Sequence, residues 1–382
     1  MKQKVEFELL SDVICAGVKV ADNFLESEPY IKGSVLRAAF ANEVLLECPF
    51  ADAPSSNGRY NFIEIKDSEG KCKECAYRKI CEHFSDMTFS FAYKNDAFPA
   101  PFTAKMCKKC GTMHSVKDTI YENGVIACDE CTGKIRRMEN LKGFIKLTGN
   151  RRVSSEKTEM SLSTHTAINY YSDTTKDGSL FSIKAIRKGQ RFTAVIDDME
   201  SGMLYEGAVI YAGKYSSNGY GKLKIVSLAP ADEITEDTVK TRICGFNKRF
   251  GTDNKAALLC LSDMCVEADE RDDILDNAAY TDKWTKLLFD DEDMPFSIDT
   301  VFSETQLYSG YDTSKKWGSW RSTTLDMLVL KGTSILITIK DGRFDEAVKK
   351  LAEIEKNGIG KKCSDGYGRI AVCHEIHCLG VN

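Results

Sequence analysis

The sequence predicts an α+β protein with two domains of the same fold, and two observations carry this prediction. A ten-residue glycine-rich motif occurs twice, at 213–222 and 360–369, and alternating apolar residues typical of a strand follow each copy. Around each copy we expect the order strand, helix, strand, strand, helix, strand. This order predicts two ferredoxin-like (βαββαβ, RRM-like) domains, at 1–230 and 231–382.

The two copies of the motif, here called loop 1 (213–222) and loop 2 (360–369), share the pattern G-K-x-x-S-[N/D]-G-Y-G-[K/R]. Glycine permits positive φ and close approach to another molecule, and successive backbone N–H groups in such a loop suit a phosphate. Lysine and arginine add the positive charge that a phosphate backbone attracts. The loops are candidate phosphate-binding sites, although similar loops are often only turns. The candidate residues are Lys214, Lys222, Lys361, Lys362, Gly366, Tyr367, Gly368 and Arg369.

The composition is that of an ordinary soluble globular protein. The chain has 382 residues, a net charge of −5, 42% hydrophobic residues and 29% charged residues. The negative balance excludes a uniformly basic nucleic-acid-binding protein but leaves room for basic patches. No apolar run approaches the ~18 residues of a membrane span, and the N-terminus lacks the apolar core of a signal peptide. We therefore expect a cytoplasmic protein without a membrane partner.

The first half begins with alternating apolar and polar residues over 4–14, which predict a strand. Ser34 is expected to cap the helix that follows. Backbone N–H groups at Gly33 and Ser34, with Lys32 and Arg37 nearby, form another candidate phosphate site. The alternative is an ordinary capped helix of the core.

The two halves are expected to repeat one series of elements around the loops. The series is a strand, a helix, a glycine loop and a second strand. In the first half these are 191–197, 199–212, loop 1 and 222–228. In the second half they are 334–340, a helix capped by Asp345 and ended by Gly358, loop 2 and 370–376. The acidic link 231–237 predicts the domain boundary. The acidic, weakly patterned segment 267–299 is expected to be peripheral.

Cysteines are concentrated in the first half, where nine of the 15 fall within the first 131 residues. This excess predicts a cysteine-rich insertion at 48–135. Cys107-x2-Cys110 and Cys128-x2-Cys131 have the spacing of a zinc ribbon, in which four thiolates complete a tetrahedral site. The first domain is thus expected to carry a zinc-ribbon insertion. Four thiolates leave no open coordination position, so this zinc would be structural.

A second cysteine cluster lies upstream of the ribbon. Cys72, Cys75 and Cys81 are close in sequence, and either Cys48 or His83 could supply a fourth ligand. A second zinc is the first interpretation. An iron–sulfur cluster is an alternative, because one remote cysteine and three close ones can hold it. The third possibility is a set of reduced cysteines without a metal.

The segment 136–153 is basic and contains an aromatic residue, Phe144. Such a segment offers charge to an RNA backbone and a flat face to a base, which makes Arg151 and Arg152 candidate RNA-binding residues. A solvated surface explains the same composition equally well. His165 could transfer protons at neutral pH, although a lone histidine more often makes a structural hydrogen bond.

Several of these stretches resemble the RAMP superfamily of CRISPR–Cas proteins. The loop residues Gly358, Gly360 and 366–369 match the glycine-rich loop that follows the last helix in this family. Residues 30–37, YIKGSVLR, are similar to the family segment YIPGSSLRG, with Lys32 in place of proline and Ala38 in place of glycine. Because Lys32 stands where the family has proline, the resemblance does not define the backbone geometry of an RNA contact at this segment. Further similar stretches are HTAI at 165–168, GSLF at 178–181, GQRF at 189–192 and, for the type III-D subunit, FPAP at 98–101.

The resemblance implies a non-catalytic subunit of a type III, and more narrowly type III-D, CRISPR–Cas effector complex. Such a subunit binds the guide RNA (crRNA) at its repeat-derived 5′ handle and supports assembly of the complex in antiviral defence. The implied partners are a large polymerase- and nuclease-like subunit, backbone RAMP subunits and target RNA.

Two other functions compete with this interpretation. An endoribonuclease of the same superfamily would process precursor crRNA with His165 and Tyr367, or cleave target RNA with Asp22, which follows the first strand. A zinc-organised protein-interaction module would contact no RNA. The repeated glycine loops, with their lysines and arginines, disfavour this last alternative.

Overall fold

The computed structural model describes most of the chain. The described residues are 2–15, 19–21, 23–113, 116–121, 127–128, 130–131, 137–148, 152–168, 175–198, 201–267, 277–289, 293–312, 315, 319, 321–322 and 325–379.

The described residues form helices and mostly antiparallel strands, an α+β structure. The helices are α1 (Gly33–Glu47), α2 (Arg78–His83), α3 (Glu236–Phe250), α4 (Asn277–Leu288) and α5 (Phe344–Asn357). The strands before residue 231 are β1 (Lys2–Leu9), β2 (Lys19–Ala21), β3 (Phe24–Glu26), β4 (Thr88–Phe89), β5 (Tyr93–Lys94), β6 (Phe98–Pro99), β7 (Ala104–Cys107), β8 (Lys117–Asp118), β9 (Met138–Asn140), β10 (Phe144–Thr148), β11 (Arg152–Glu156), β12 (Met160–Ile168), β13 (Thr175–Ile186), β14 (Arg191–Asp197), β15 (Val209–Tyr211) and β16 (Lys222–Pro230). The later strands are β17 (Lys255–Cys260), β18 (Met264–Glu267), β19 (Phe296–Phe302), β20 (Thr305–Tyr308), β21 (Tyr311–Asp312), β22 (Arg321–Ser322), β23 (Asp326–Val329), β24 (Ser334–Ile339) and β25 (Ile370–Val372).

The main sheet of the first half has the order β15-β16-β1-β14-β4, with β5 also paired to β14. Its central strand β1 pairs antiparallel with both β14 and β16. The predicted alternation along β1 is confirmed, because Val5, Phe7 and Leu9 are buried while the residues between them are partly exposed. This buried face packs against α1 through Leu36 and Phe40.

The main sheet of the second half has the antiparallel order β19-β24-β17-β25. Along the chain, α4 lies between β17 and β19, and α5 lies between β24 and β25. The main elements therefore follow the βαββαβ order, with shorter strands added between them. Trp284 of α4 and Leu351 of α5 are buried in one core with Ile243 of α3. The boundary predicted at residues 230 and 231 stays a prediction.

The helix predicted at 199–212 is absent from the described part of that stretch, residues 201–212. The chain instead makes turns and then β15, which pairs with β16. Gly202 and Gly207 have φ values of 78° and 91°, which a right-handed helix cannot contain. In the first half, the elements that share the main sheet thus lack the second helix of the predicted order.

Two other interpretations of the sequence are wrong. The acidic segment 267–299 is not peripheral, because it supplies α4 and most of β19, and Trp284 and Phe296 are buried. A few large apolar residues are enough to bury one face of an otherwise acidic segment. The cysteine-rich stretch 48–135 is not one continuous insertion, because β4 and β5 pair with β14 in the main sheet.

The starts of two helices also differ from prediction. Helix α1 begins at Gly33 with Lys32 as its N-cap, so Ser34 lies within the helix. Helix α5 begins at Phe344, so Asp345 lies in its first turn, where its charge still favours the helix dipole. The predicted end of α5 is confirmed, because Gly358 follows with φ of 85° and its N–H donates to the carbonyl oxygen of Ile354. In the described ranges, we find no helix with the length and apolarity that crossing a membrane requires.

Candidate nucleic-acid interface and metal centres

Loop 1 and loop 2 have the same backbone conformation, as their shared sequence predicts. Each contains a single 3-10 turn, Ser216–Asn218 in loop 1 and Cys363–Asp365 in loop 2. The φ values at matched positions are 92° and 85° for Gly213 and Gly360, 61° and 62° for Tyr215 and Lys362, and 88° and 84° for Gly219 and Gly366. The repeated motif is therefore a repeated structure.

The two loops are also anchored by matching hydrogen bonds. The N–H of Lys214 donates to the carbonyl oxygen of Ile14 at 2.9 Å, and the N–H of Lys361 donates to that of Cys265 at 2.7 Å. A Cβ atom on Gly213 or on Gly360 would overlap that same carbonyl oxygen. The first glycine of the motif is thus required by the packing of the loop against its own half, whether or not a ligand binds.

The anchoring segment is itself repeated, which the sequence analysis missed. Leu10-Ser11-Asp12-Val13 holds loop 1 and Leu261-Ser262-Asp263-Met264 holds loop 2. In loop 1, the N–H of Lys222 donates a hydrogen bond to the hydroxyl of Ser11. In loop 2, the N–H of Arg369 donates to the hydroxyl of Ser262, and both distances are 2.9 Å. The common L-S-D sequence could have revealed this second repeat.

The end of loop 2 at residues 366–368 is buried between the two halves. Gly366 lies so close to β4 that a Cβ atom there would overlap the carbonyl oxygen of Phe89. Gly33, at the start of α1, is equally close to the carbonyl oxygen of Asp365. Tyr367 is only 2% exposed and meets Phe91 edge to face at 5.1 Å. Loop 2 therefore joins the second half to the first.

The cationic groups at this junction already have partners. The ammonium group of Lys361 lies 2.7 Å from Glu267 and 3.6 Å from Asp326, and that of Lys362 lies 3.4 Å from Asp326. The guanidinium of Arg37 donates to the carbonyl oxygens of Met87 and Phe84 at 2.8 and 2.9 Å, respectively.

Lys32 and Arg369 lie in different surroundings. Lys32 is half-buried, with its ammonium 6.0 Å from the ring centre of Tyr308. Arg369 lines a cleft of about 500 Å³, which Lys2, Lys146 and Glu355 also line. Burial lowers the pKa of Arg369, which reflects the cost of enclosing its charge.

Loop 1 differs from loop 2 in being exposed. Every residue from 213 to 219 is exposed, whereas 366–368 are buried in loop 2. Loop 1 contains no acidic residue, because Asn218 occupies the position of Asp365. Among the residues that the structure describes, the ammonium group of Lys214 has no carboxylate within 4.0 Å. Lys222, at the end of loop 1, is half-buried.

His165 lies beside loop 1, on the hairpin of β12 and β13. Its Nε2 atom lies 3.0 Å from the hydroxyl of Ser163 and 3.1 Å from that of Tyr220, and these two hydroxyls are 3.0 Å apart. The imidazole ring stacks on Phe181 at 5.2 Å. The sequence suggests that His165 acts with Tyr367 of loop 2. The structure places His165 instead beside Tyr220, which occupies the same position in loop 1.

Three further sequence candidates are placed as follows. Arg152 is exposed on β11. Arg151 and Asp22 lie outside the described residues, and their predicted roles stay predictions.

Three of the four ribbon cysteines, Cys107, Cys128 and Cys131, form a buried group whose Sγ atoms all lie within 4.8 Å of one another, and Cys110 adjoins this group. The Sγ atom of Cys131 lies 3.4 Å from that of Cys107 and 3.6 Å from that of Cys110, and Cys128 belongs to the same buried group. Tetrahedral zinc with bonds of ~2.3 Å separates thiolates by about 3.8 Å. The positions of Cys107, Cys128 and Cys131 therefore fit one tetrahedral metal ion, with Cys110 beside Cys131 as the candidate fourth ligand.

The other four cysteines, Cys48, Cys72, Cys75 and Cys81, line one cavity between the end of α1 and α2. Burial, together with the neighbouring Cys75, Cys48 and Cys72, raises the pKa of Cys81 to about 11. His83 is not part of the cavity lining, so Cys48 is the fourth thiol of this group.

Comparisons with known proteins complete this description. No protein-family model and no curated protein matches the sequence. Among solved structures, a chain of a type III-B Cmr-beta complex bound to cognate target RNA and AMPPnP has 11% identity and a TM-score of 0.40, covering 87% of this chain and 86% of that one. A chain of the apo Cmr-beta complex has 11% identity and a TM-score of 0.30, with coverages of 59% and 96%. A Cas6 substrate-mimic complex has 12% identity and a TM-score of 0.27, with coverages of 49% and 81%. Similarities of this size do not assign a function.

Proposed function

We propose that this protein is an RNA-binding RAMP-superfamily subunit of a type III CRISPR–Cas effector complex, and that loop 1 contacts the backbone of the guide RNA. The observation that carries the proposal is the contrast between the two copies of one loop. Residues 366–368 of loop 2 are buried and its lysines are paired with carboxylates, whereas residues 213–219 of loop 1 are all exposed on the same backbone conformation.

The chemistry of loop 1 suits a single-stranded RNA. Lys214 supplies a positive charge, Tyr215 is 44% exposed and offers a flat face to a base, and Ser216 and Ser217 offer hydroxyl groups to phosphate oxygens. The absence of acidic residues from the loop sequence leaves this charge uncompensated within the loop.

The test is the affinity of the full chain for a fluorescent repeat-derived RNA, measured by anisotropy at several salt concentrations. We expect Lys214→Ala with Tyr215→Ala to weaken binding about tenfold or more and to reduce the salt dependence by about one phosphate contact. The matched control is Lys361→Ala with Lys362→Ala in loop 2, which should bind nearly as well as the wild type. Unchanged binding by the loop 1 variant, with unchanged circular dichroism, would contradict the proposal.

The narrower role follows from the resemblance in sequence. We propose that the protein holds the repeat-derived 5′ handle of the crRNA, in a type III-D complex with the large subunit and the backbone RAMP subunits. The support is YIKGSVLR at 30–37, FPAP at 98–101 and the two glycine loops. Purification of the tagged protein from its native cells should recover these subunits and crRNA. Recovery of unrelated proteins without RNA would contradict this role.

An endoribonuclease is the second candidate, favoured by the arrangement of His165, Tyr220 and Ser163. A histidine within hydrogen-bond reach of two hydroxyl groups could move a proton at the 2′-OH of RNA. We propose instead that these residues help to hold RNA without cleaving it. Incubation with repeat RNA, with and without Mg²⁺, should leave the RNA intact. Cleavage that is lost in His165→Ala and in Tyr220→Phe would establish the second candidate.

We also propose that Cys107, Cys110, Cys128 and Cys131 bind a structural zinc ion. The thiol separations of 3.4 and 3.6 Å support a mononuclear site, and four thiolates are a donor set that zinc prefers. The zinc would fix the connections among β7, β8 and β9 rather than take part in a reaction. Elemental analysis should give one zinc per chain that Cys107→Ser removes.

A further inference from the structure

The cavity lined by Cys48, Cys72, Cys75 and Cys81 differs from the zinc ribbon in its geometry. Among the residues that the structure describes, which include all four of these cysteines, no three of their Sγ atoms lie within 4.8 Å of one another. The ribbon cysteines Cys107, Cys128 and Cys131 do meet that distance. Three of the ribbon thiols are therefore spaced for one zinc ion, whereas no three thiols of this second group are.

A zinc ion in contact with four thiolates holds each sulfur at ~2.3 Å, which brings the Sγ atoms within about 3.8 Å of one another. In an iron–sulfur cluster of the [4Fe–4S] type, each thiolate binds a different iron, so the thiolates stand farther apart around a larger body.

The surroundings of the cavity suit an anionic cluster. Its lining is largely apolar, with Val44, Phe50 and Ile65 among the residues that keep water away. Its charged lining residues are Lys66, Lys71, Arg78 and one acidic residue, Glu64, so the lining carries a net positive charge. Apolar shielding and nearby cations are the means by which proteins stabilise and tune such clusters.

We propose that Cys48, Cys72, Cys75 and Cys81 hold an iron–sulfur cluster, separate from the zinc ribbon. Cys48 comes directly after α1 and Cys81 lies in α2, so the cluster would tie α2 and the loop before it to the end of the first helix. Because α1 starts at the junction with loop 2, the cluster would stabilise the same helix from its other end. This inference does not depend on RNA binding.

The experiment is metal analysis of the full chain purified without oxygen. We expect iron and acid-labile sulfide in equal amounts, the visible absorption of such a cluster, and one zinc per chain. Cys75→Ser should lose the iron and the visible absorption but keep the zinc. Cys107→Ser should lose the zinc and keep the iron, and Cys244→Ser, which changes an exposed cysteine of α3, should change neither.

Two results would overturn the proposal. Two zinc ions per chain and no iron would show that the wider thiols hold a second zinc. A single zinc, without iron or sulfide after anaerobic purification and cluster reconstitution, would show that these cysteines hold no cluster. Both results come from the wild-type protein, so a variant that fails to fold does not affect the decision.

Discussion

Replacing Gly366 by alanine should destabilise the protein more than the same change at its counterpart Gly219. Both glycines have nearly the same φ, 84° and 88°, so both substitutions carry the strain of a left-handed backbone, about 1–2 kcal/mol. They differ in what a Cβ atom would meet. At Gly219 nothing lies within 4 Å, whereas at Gly366 the new atom would overlap the carbonyl oxygen of Phe89.

The extra cost at Gly366 comes from backbone atoms that cannot move aside alone. Besides the oxygen of Phe89, the Cα of Ser90 would lie at 2.9 Å and the nitrogen of Phe91 at 3.0 Å. Overpacking of this kind typically costs about 1–3 kcal/mol. Added to the backbone strain, it gives about 2–5 kcal/mol for Gly366→Ala, against about 1–2 kcal/mol for Gly219→Ala.

The assay is urea unfolding of the full chain, followed by far-ultraviolet circular dichroism. The midpoint for Gly366→Ala should fall below that for Gly219→Ala, and both should lie below the wild type. Equal midpoints for the two variants would refute the reasoning, because loop 2 would then not be packed between the halves. Retention of RNA binding by the folded Gly366→Ala variant is also expected, since loop 1 is unchanged.

Two further predictions concern buried groups, one at the contact between the halves and one in the second half. Tyr30→Phe removes a hydroxyl that donates to Asp263 at 3.3 Å and accepts from Lys331 at 3.0 Å. Urea unfolding should therefore show that the free energy of unfolding falls by about 1–3 kcal/mol. A decrease as small as that caused by Tyr211→Phe, which changes an exposed tyrosine, would contradict this prediction. Burial, with His377 and Arg242 nearby, lowers the pKa of His374 to about 3. A histidine in the unfolded chain has a pKa near ~6.5, so the unfolded state binds more protons than the folded state between pH 3 and pH 6.5. The free energy of unfolding therefore falls as the pH drops through this range, by up to about 1.4 kcal/mol per pH unit. His374→Gln should reduce that dependence between pH 7 and 5, and an unchanged dependence would show that His374 is already charged in the folded protein.

The sequence predicts those parts of the fold that local patterns determine. Alternating apolar residues place β14 and β24 correctly and locate β1, which ends at Leu9 and not at residue 14. The repeated glycine motif predicts two loops of one conformation. The helix expected at 199–212 fails because Gly202 and Gly207 take positive φ, which composition alone does not show. The acidic segment 267–299 was misjudged because the buried apolar residues that the structure describes there are interspersed with acidic ones and lie in its second half, from Trp284 to Ile298.

The difference between the two loops could not be predicted from their sequences. Their local sequences and conformations match, and only the contacts of loop 2 with α1 and β4 separate a buried copy from an exposed one. Such contacts join residues far apart in the chain, such as Gly33 and Asp365. For the same reason, only the structure identifies the partners of Lys361 and shows that His165 lies beside Tyr220.

The most direct test of RNA binding by loop 1 is ultraviolet cross-linking of the full chain to the RNA with which it purifies, followed by mass spectrometry. We predict cross-linked nucleotides on the peptide that contains Lys214 and Tyr215, because this loop is exposed and carries an aromatic ring and a lysine. Cross-links confined to the peptide that contains Lys361 and Lys362 would contradict the assignment of RNA to loop 1. The absence of any RNA from the purified protein would contradict the proposed function as a whole.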